Sequence, residues 1–82
     1  MTFRTELSQD SLKFIAKQQL AQQKRIMKAI AKLPYQGDIK KLANTENKYR
    51  LRVGDFRIIY TVKYNILTIL VLKIGNRGDV YK

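Results

Sequence analysis

YRLRVGDFRIIY, residues 49–60, predicts a two-stranded β-hairpin. Tyr49, Leu51 and Val53 alternate with Arg50 and Arg52, so one face of the first strand is apolar and the other cationic. Gly54-Asp55 fits a two-residue turn with glycine at the first central position, as type II′ prefers. That turn sets the register: Val53 opposite Phe56, Leu51 opposite Ile58, Tyr49 opposite Tyr60. On the other face it sets Arg52 against Arg57. Directly opposed like charges destabilise a sheet. A fold gains nothing from such a pair, whereas a site for a polyanion gains two donors at one place.

The rest of the chain is read outward from this hairpin. Thr2 to Leu7 predicts a strand with Phe3, Thr5 and Leu7 on one side and Arg4 and Glu6 on the other. Ser8 or Asp10 supplies a helix cap. Leu12, Ile15, Ala16 and Leu20 predict the apolar stripe of a first helix. A break near Gln18 to Gln22 and a single long helix are both open, since neither glycine nor proline marks the place. Ile26, Met27, Ile30, Ala31 and Leu33 recur at helical spacing among Lys24, Arg25, Lys28 and Lys32, and Pro34 ends that helix. Gly37-Asp38 marks a turn, and Ile39 to Leu42 a short segment that brings Leu42 to the core. Lys48–Val53 and Phe56–Val62 form the hairpin, and Leu67–Ile74 returns as a last strand. Its apolar residues fall on two faces: Leu67, Ile69 and Val71 on one, Leu70, Leu72 and Ile74 on the other, as in a strand covered on both sides. The order is β-α-α-β-β-β. It predicts a single α+β domain over residues 1–82, with an antiparallel sheet packed on two N-terminal helices.

Composition narrows the function. Seventeen Lys and Arg stand against six Asp and Glu, a formal charge of +11 on 82 residues. Such a surplus raises the encounter rate with phosphate polymers and points to nucleic acid, the ribosome or an acidic protein. Without cysteine or histidine, neither a disulfide nor a thiolate or imidazole metal site is expected, and no cofactor is implied. The N-terminal MTFRTELSQD has no apolar run like that of a signal peptide. The apolar stretch Ile66 to Leu72 is too short to span a bilayer. A soluble cytoplasmic protein without a membrane partner is the expectation. In the tail, GNRGDVYK, Gly75 and Gly78 flank Asn76-Arg77. Arg77 offers a planar fork for phosphate, and Tyr81 a ring for stacking on a base.

YRLRVGDFRIIY followed by a strand and GNRGDVY, together with KRIMKAIAKLP and GDIKKL before it, resembles the RelE/ParE superfamily of bacterial toxin–antitoxin toxins over nearly the whole chain. The resemblance implies a small α/β domain and a cognate antitoxin, which the basic surface would attract as an acidic protein. It implies one of two activities. RelE-type relatives are endoribonucleases that enter the ribosomal A site and cut mRNA there, without metal, by attack of the 2′-oxygen on the adjacent phosphate. ParE-type relatives inhibit DNA gyrase and cut no RNA. The RelE-type activity is the one favoured here.

Carried over position by position, the resemblance implies that Arg50 and Arg52 contact RNA and act on the 2′-hydroxyl. It implies that Arg57 contacts the scissile phosphate, that Arg77 stabilises charge or protonates the leaving oxygen, and that Tyr81 stacks on a codon base. Lys40, Lys41, Lys48 and Lys82 are expected to contact RNA or the ribosome. Asn76 departs from the family pattern, which has histidine there. Arginine is a poor general base, so the 2′-hydroxyl proton falls to Lys48, Lys73, water or ribosomal RNA. Ile59, Leu70 and Leu72 are the expected docking area for the antitoxin.

Overall fold

The computed structural model describes residues 2–43, 45 and 47–76. Its elements are β1 (Arg4–Leu7), α1 (Gln9–Ala16), α2 (Leu20–Ala31), β2 (Asp38–Lys41), β3 (Lys48–Val53), β4 (Phe56–Lys63), a 3-10 turn (Tyr64–Ile66) and β5 (Thr68–Asn76). The strands form one five-stranded sheet in the order β1-β5-β4-β3-β2, and both helices lie over one of its faces. This is the predicted α+β class, with two differences. Asp38–Lys41 is a strand in its own right, paired antiparallel to β3. The sheet is mixed rather than wholly antiparallel, because β1 runs parallel to β5.

The hairpin has the expected register throughout, from Tyr49 opposite Tyr60 to Val53 opposite Phe56, with Arg52 opposite Arg57. Gly54 takes φ 57° and Asp55 a negative φ, the sign pattern of a type II′ turn. Gly37 is the second glycine whose conformation matters. Its φ is 129°, and a Cβ there would come within 2.6 Å of Leu51 Cδ1.

Two local devices set the helix ends. Ser8 caps α1 by accepting from Ser11 N at 3.1 Å, while its hydroxyl donates to Leu72 O at 2.7 Å. Its backbone N–H donates to Val71 O at 2.9 Å, so the cap also ties the end of β1 to the middle of β5. The helices are separate, and glutamines make the break. Gln18 Nε2 donates to Phe14 O at 3.2 Å and Gln23 Nε2 to Gln18 O at 2.9 Å, satisfying carbonyls that a continuous helix would have used.

The core lies between the helices and the sheet. Ile15, Ile26, Ile30 and Leu33 meet Leu51, Val53, Phe56, Ile58, Tyr60, Val62, Ile69, Val71 and Ile74. The stripe of α1 is displaced from the expected one: Ser11 and Ile15 face inward, while Leu12 and Leu20 are exposed. On α2, Met27 and Ala31 are also exposed. The largest departure is in β5. Tyr60 pairs with Val71 but Ile59 pairs with Lys73, so Leu72 is an extra residue in a bulge. Alternation restarts after it. Ile74 therefore joins Ile69 and Val71 in the core, and Lys73 turns to the outer face.

Tyr60 stacks on Tyr49 with ring centroids 5.5 Å apart. Burial first, and then Tyr49 and Tyr64, push its phenol from 10.0 up to about 12. The folded state holds this proton more tightly than the unfolded chain. Its contribution is thus intact below about pH 10 and lost as pH rises from about 10 to 12. The unfolding free energy from urea titration is expected to fall across that window by up to ~1.4 kcal/mol per pH unit, and the fall is expected to shrink in Tyr60→Phe. At neutral pH, Ile58→Ala is expected to cost about 2–5 kcal/mol. Ile66→Ala, at an exposed site, is expected to cost less than about 0.5 kcal/mol in the same titration.

Candidate nucleic-acid interface

The face of the sheet away from the helices gathers the hairpin's cations. Two cross-strand rows define it. One runs Asp38, Arg52, Arg57, Gly75, and the next Lys40, Arg50, Ile59, Lys73. Alternation along β3 and β4 forces this arrangement. Once Leu51, Val53, Phe56 and Ile58 are committed to the core, Arg50, Arg52 and Arg57 have only the other face.

The predicted cations do not all meet. Lys40, Lys41, Arg50 and Arg57 line one shallow cleft of about 530 Å³ with Leu42 and Ala43. Arg52, though directly opposite Arg57, is exposed and lies outside the cleft lining. Lys48 is exposed across from Thr61, one row beyond Arg50. Lys73 is two strands from Arg50, roughly 10 Å at ordinary strand spacing. Leu42 serves the cleft wall and is only half-buried, rather than joining the core. Arg77, Tyr81 and Lys82 lie outside the described residues. β5 ends at Asn76 beside Phe56, one position beyond the pair of Gly75 with Arg57.

Arg57 is the unusual member. It is only 6% exposed, and its Nη1 donates to the carbonyls of Phe56 at 3.3 Å and Gly54 at 3.5 Å. Among the described residues no carboxylate pairs with it. A desolvated guanidinium held by long bonds to carbonyls, beside a second arginine, is suited to receive an anion. Asp38 is the residue that the sequence pattern did not single out. Its Oδ1 accepts from Arg50 Nη2 at 3.1 Å. Its signal was the segment GDIKKL, whose strand register sets Asp38 diagonal to Arg50. Among the described residues no group of histidine, cysteine, aspartate and glutamate is arranged to hold a metal ion, and no helix is long and apolar enough to cross a membrane. Of the expected docking residues, Ile59 is buried, and Leu70 and Leu72 are half-buried.

This architecture is that of the RelE-type toxin domain. A chain of the archaeal RelE–RelB complex from Pyrococcus horikoshii OT3 is similar at TM-score 0.81 and 30% identity, over 98% of this chain and 100% of that one. A chain of the Methanococcus jannaschii RelB–RelE antitoxin–toxin complex is similar at TM-score 0.74 and 27% identity, over 92% and 93%. The isolated Escherichia coli RelE toxin shares the fold at TM-score 0.79 and 15% identity, over 98% and 89%. Toxin RelE1 of Methanocaldococcus jannaschii is 40% identical over 45 residues, which are 55% of this chain and half of that protein. The model of the family described as the ParE toxin of type II toxin–antitoxin systems, parDE, matches residues 4–81, and the chain belongs to that family, within the RelE/ParE superfamily.

Binding of a single-stranded RNA oligonucleotide provides a direct check on the cationic face. The slope of log affinity against log salt is expected to become shallower by about 0.7 for Arg52→Ala or Arg57→Ala. Lys13→Ala, on the first helix, is expected to leave it unchanged.

Proposed function

We propose that this toxin-family chain is a ribosome-dependent endoribonuclease that cuts mRNA at the A site. The observation that carries the proposal is the buried Arg57 sharing a cleft with Arg50, Lys40 and Lys41. Among the described residues the cleft lining itself contains no carboxylate, and Asp38 meets Arg50 from the adjoining strand edge. In transesterification the 2′-oxygen attacks the neighbouring phosphorus and the 5′-oxygen leaves. The products are a 2′,3′-cyclic phosphate and a 5′-hydroxyl. The phosphoryl oxygens gain negative charge on the way, and preorganised donors aimed at that charge supply a large catalytic effect. Arg57 and Arg50 have this role in the proposal, and Arg52 and Lys48 guide the flanking backbone. Arg77 and Tyr81 enter through the family resemblance, as the donor to the leaving oxygen and the base-stacking ring. A guanidinium is a poor proton carrier, so the 2′-hydroxyl proton passes to water or ribosomal RNA, and the leaving 5′-oxygen, stabilised by a hydrogen bond from Arg77, takes its proton from water. The ribosome contributes the bent, near-attack geometry of the mRNA.

The partner belongs to the same proposal. Similar chains are found in toxin–antitoxin complexes, and an acidic antitoxin complements the charge of +11. A second reading, a non-catalytic inhibitor of DNA gyrase, is favoured by the ParE family description and by a cleft in which the ionisable lining residues among those described are lysines and arginines.

Primer extension on a defined mRNA with purified ribosomes separates the two. The wild type is expected to give new stops within A-site codons only when ribosomes are present. Arg57→Ala and Arg77→Ala are each expected to reduce them by roughly 100-fold or more. Intact mRNA with the folded wild type, together with inhibited supercoiling, would establish the gyrase reading instead.

A further inference from the structure

Arg50 lies on the outer face of β3, beside the edge strand, surrounded by its own kind of charge. Lys40 is directly opposite on β2, Lys48 and Arg52 are two residues away along β3, and Arg57 is diagonal on β4. Like charges on this scale push a guanidinium toward solvent. Arg50 is nevertheless drawn in. Its side chain is 15% exposed, and its Nε is buried without a hydrogen-bond partner among the described residues. Among the described residues the contact that opposes the repulsion is Asp38, whose Oδ1 accepts from Nη2 at 3.1 Å.

We propose that Asp38 is a positioning residue, whose carboxylate holds the Arg50 guanidinium inside the cleft in the orientation that meets a phosphate of bound RNA. This rests on the cleft being the RNA site proposed above. Asp38 sits on an edge strand with its side chain 58% exposed, and it is absent from the core. A supporting role for the hydrophobic packing is therefore not its use. Nor does its charge favour RNA, because a carboxylate beside an anion site repels the ligand. Its value lies in order. A guanidinium has five N–H donors, so the bond to Asp38 fixes the fork and leaves the remaining donors for phosphate.

Repulsion and ordering make opposite contributions, and kinetics separate them. Asp38→Asn raises the net charge of the face by one while releasing Arg50. It is expected to lower kcat for ribosome-bound mRNA by roughly 10- to 100-fold, the scale of a misplaced catalytic group, with KM unchanged or lower. Asp38→Glu, which keeps the charge, is expected to restore part of kcat. In an Arg50→Ala background, Asp38→Asn is expected to have no further effect on kcat. A purely structural role would instead raise KM and persist in that background.

A readout independent of cleavage is the nitrogen-15 NMR spectrum of the arginine side chains in the full chain. Wild type is expected to show Arg50 terminal-nitrogen signals slowed by the ion pair, and Asp38→Asn to lose them. Arg50 signals that are the same in both proteins would overturn the proposal, as would an active wild type whose kcat survives Asp38→Asn. Loss of the signals in Asp38→Asn with no cleavage by the wild type would leave the positioning intact and overturn the endonuclease reading.

Discussion

The register of the β3–β4 hairpin is the constraint on which the rest depends. A two-residue turn at Gly54-Asp55 sets Val53 against Phe56, and strict alternation then leaves no freedom. Four apolar residues go to the helices, and Arg52 goes opposite Arg57 on the far side. A slip of one residue would send the whole apolar set to solvent. The buried face therefore fixes the geometry of the cationic one. The fold tolerates repulsion on its outer surface because the inner surface, from Leu51 to Ile74, outweighs it.

Around that hairpin, small polar contacts do the joining. Ser8 serves the end of β1, the first turn of α1 and two carbonyls of β5 at once. Gln18 and Gln23 turn the chain from one helix to the next without glycine or proline. The bulge at Leu72 has a functional consequence: it returns Ile74 to the core and puts Lys73 on the cationic face. On β2, Asp38 and Lys40 extend that face across the sheet edge. The cleft is thus assembled from β2, β3 and β4, with the end of β5 alongside.

The parts of this structure governed by local periodicity were legible in the sequence. The hairpin register and the helical positions of Ile26 and Ile30 follow from spacing and turn chemistry, as does the Ser8 cap, which Asp10 rivalled; Leu33 reaches the core from the turn after α2. The parts governed by distant pairing were not. Parallel addition of β1 to β5 joins residues more than sixty positions apart, such as Arg4 and Thr68, and leaves no local pattern. The bulge is invisible because each residue of Leu70–Ile74 except Lys73 is apolar. The inward turn of Ser11 in place of Leu12 follows from hydroxyl contacts to Ser8 and Val71, which a hydrophobic count overlooks. For the site, Arg52 and Arg57 were legible as an opposed pair, with Arg50 on the same face. The exclusion of Arg52 from the cleft and the ion pair of Asp38 required the extra strand β2.

The central claim is that the outer face is kept for an anion at a cost to the fold. A double-mutant cycle on Arg52 and Arg57, read as urea unfolding free energy at low salt, addresses it most directly. The account predicts a repulsive coupling between the two arginines, with the Arg52→Ala/Arg57→Met protein no less stable than the wild type. A favourable coupling, or a loss of more than about 1 kcal/mol in the double variant, would contradict it, because the arginines would then be supports of the sheet rather than its ligand-binding burden.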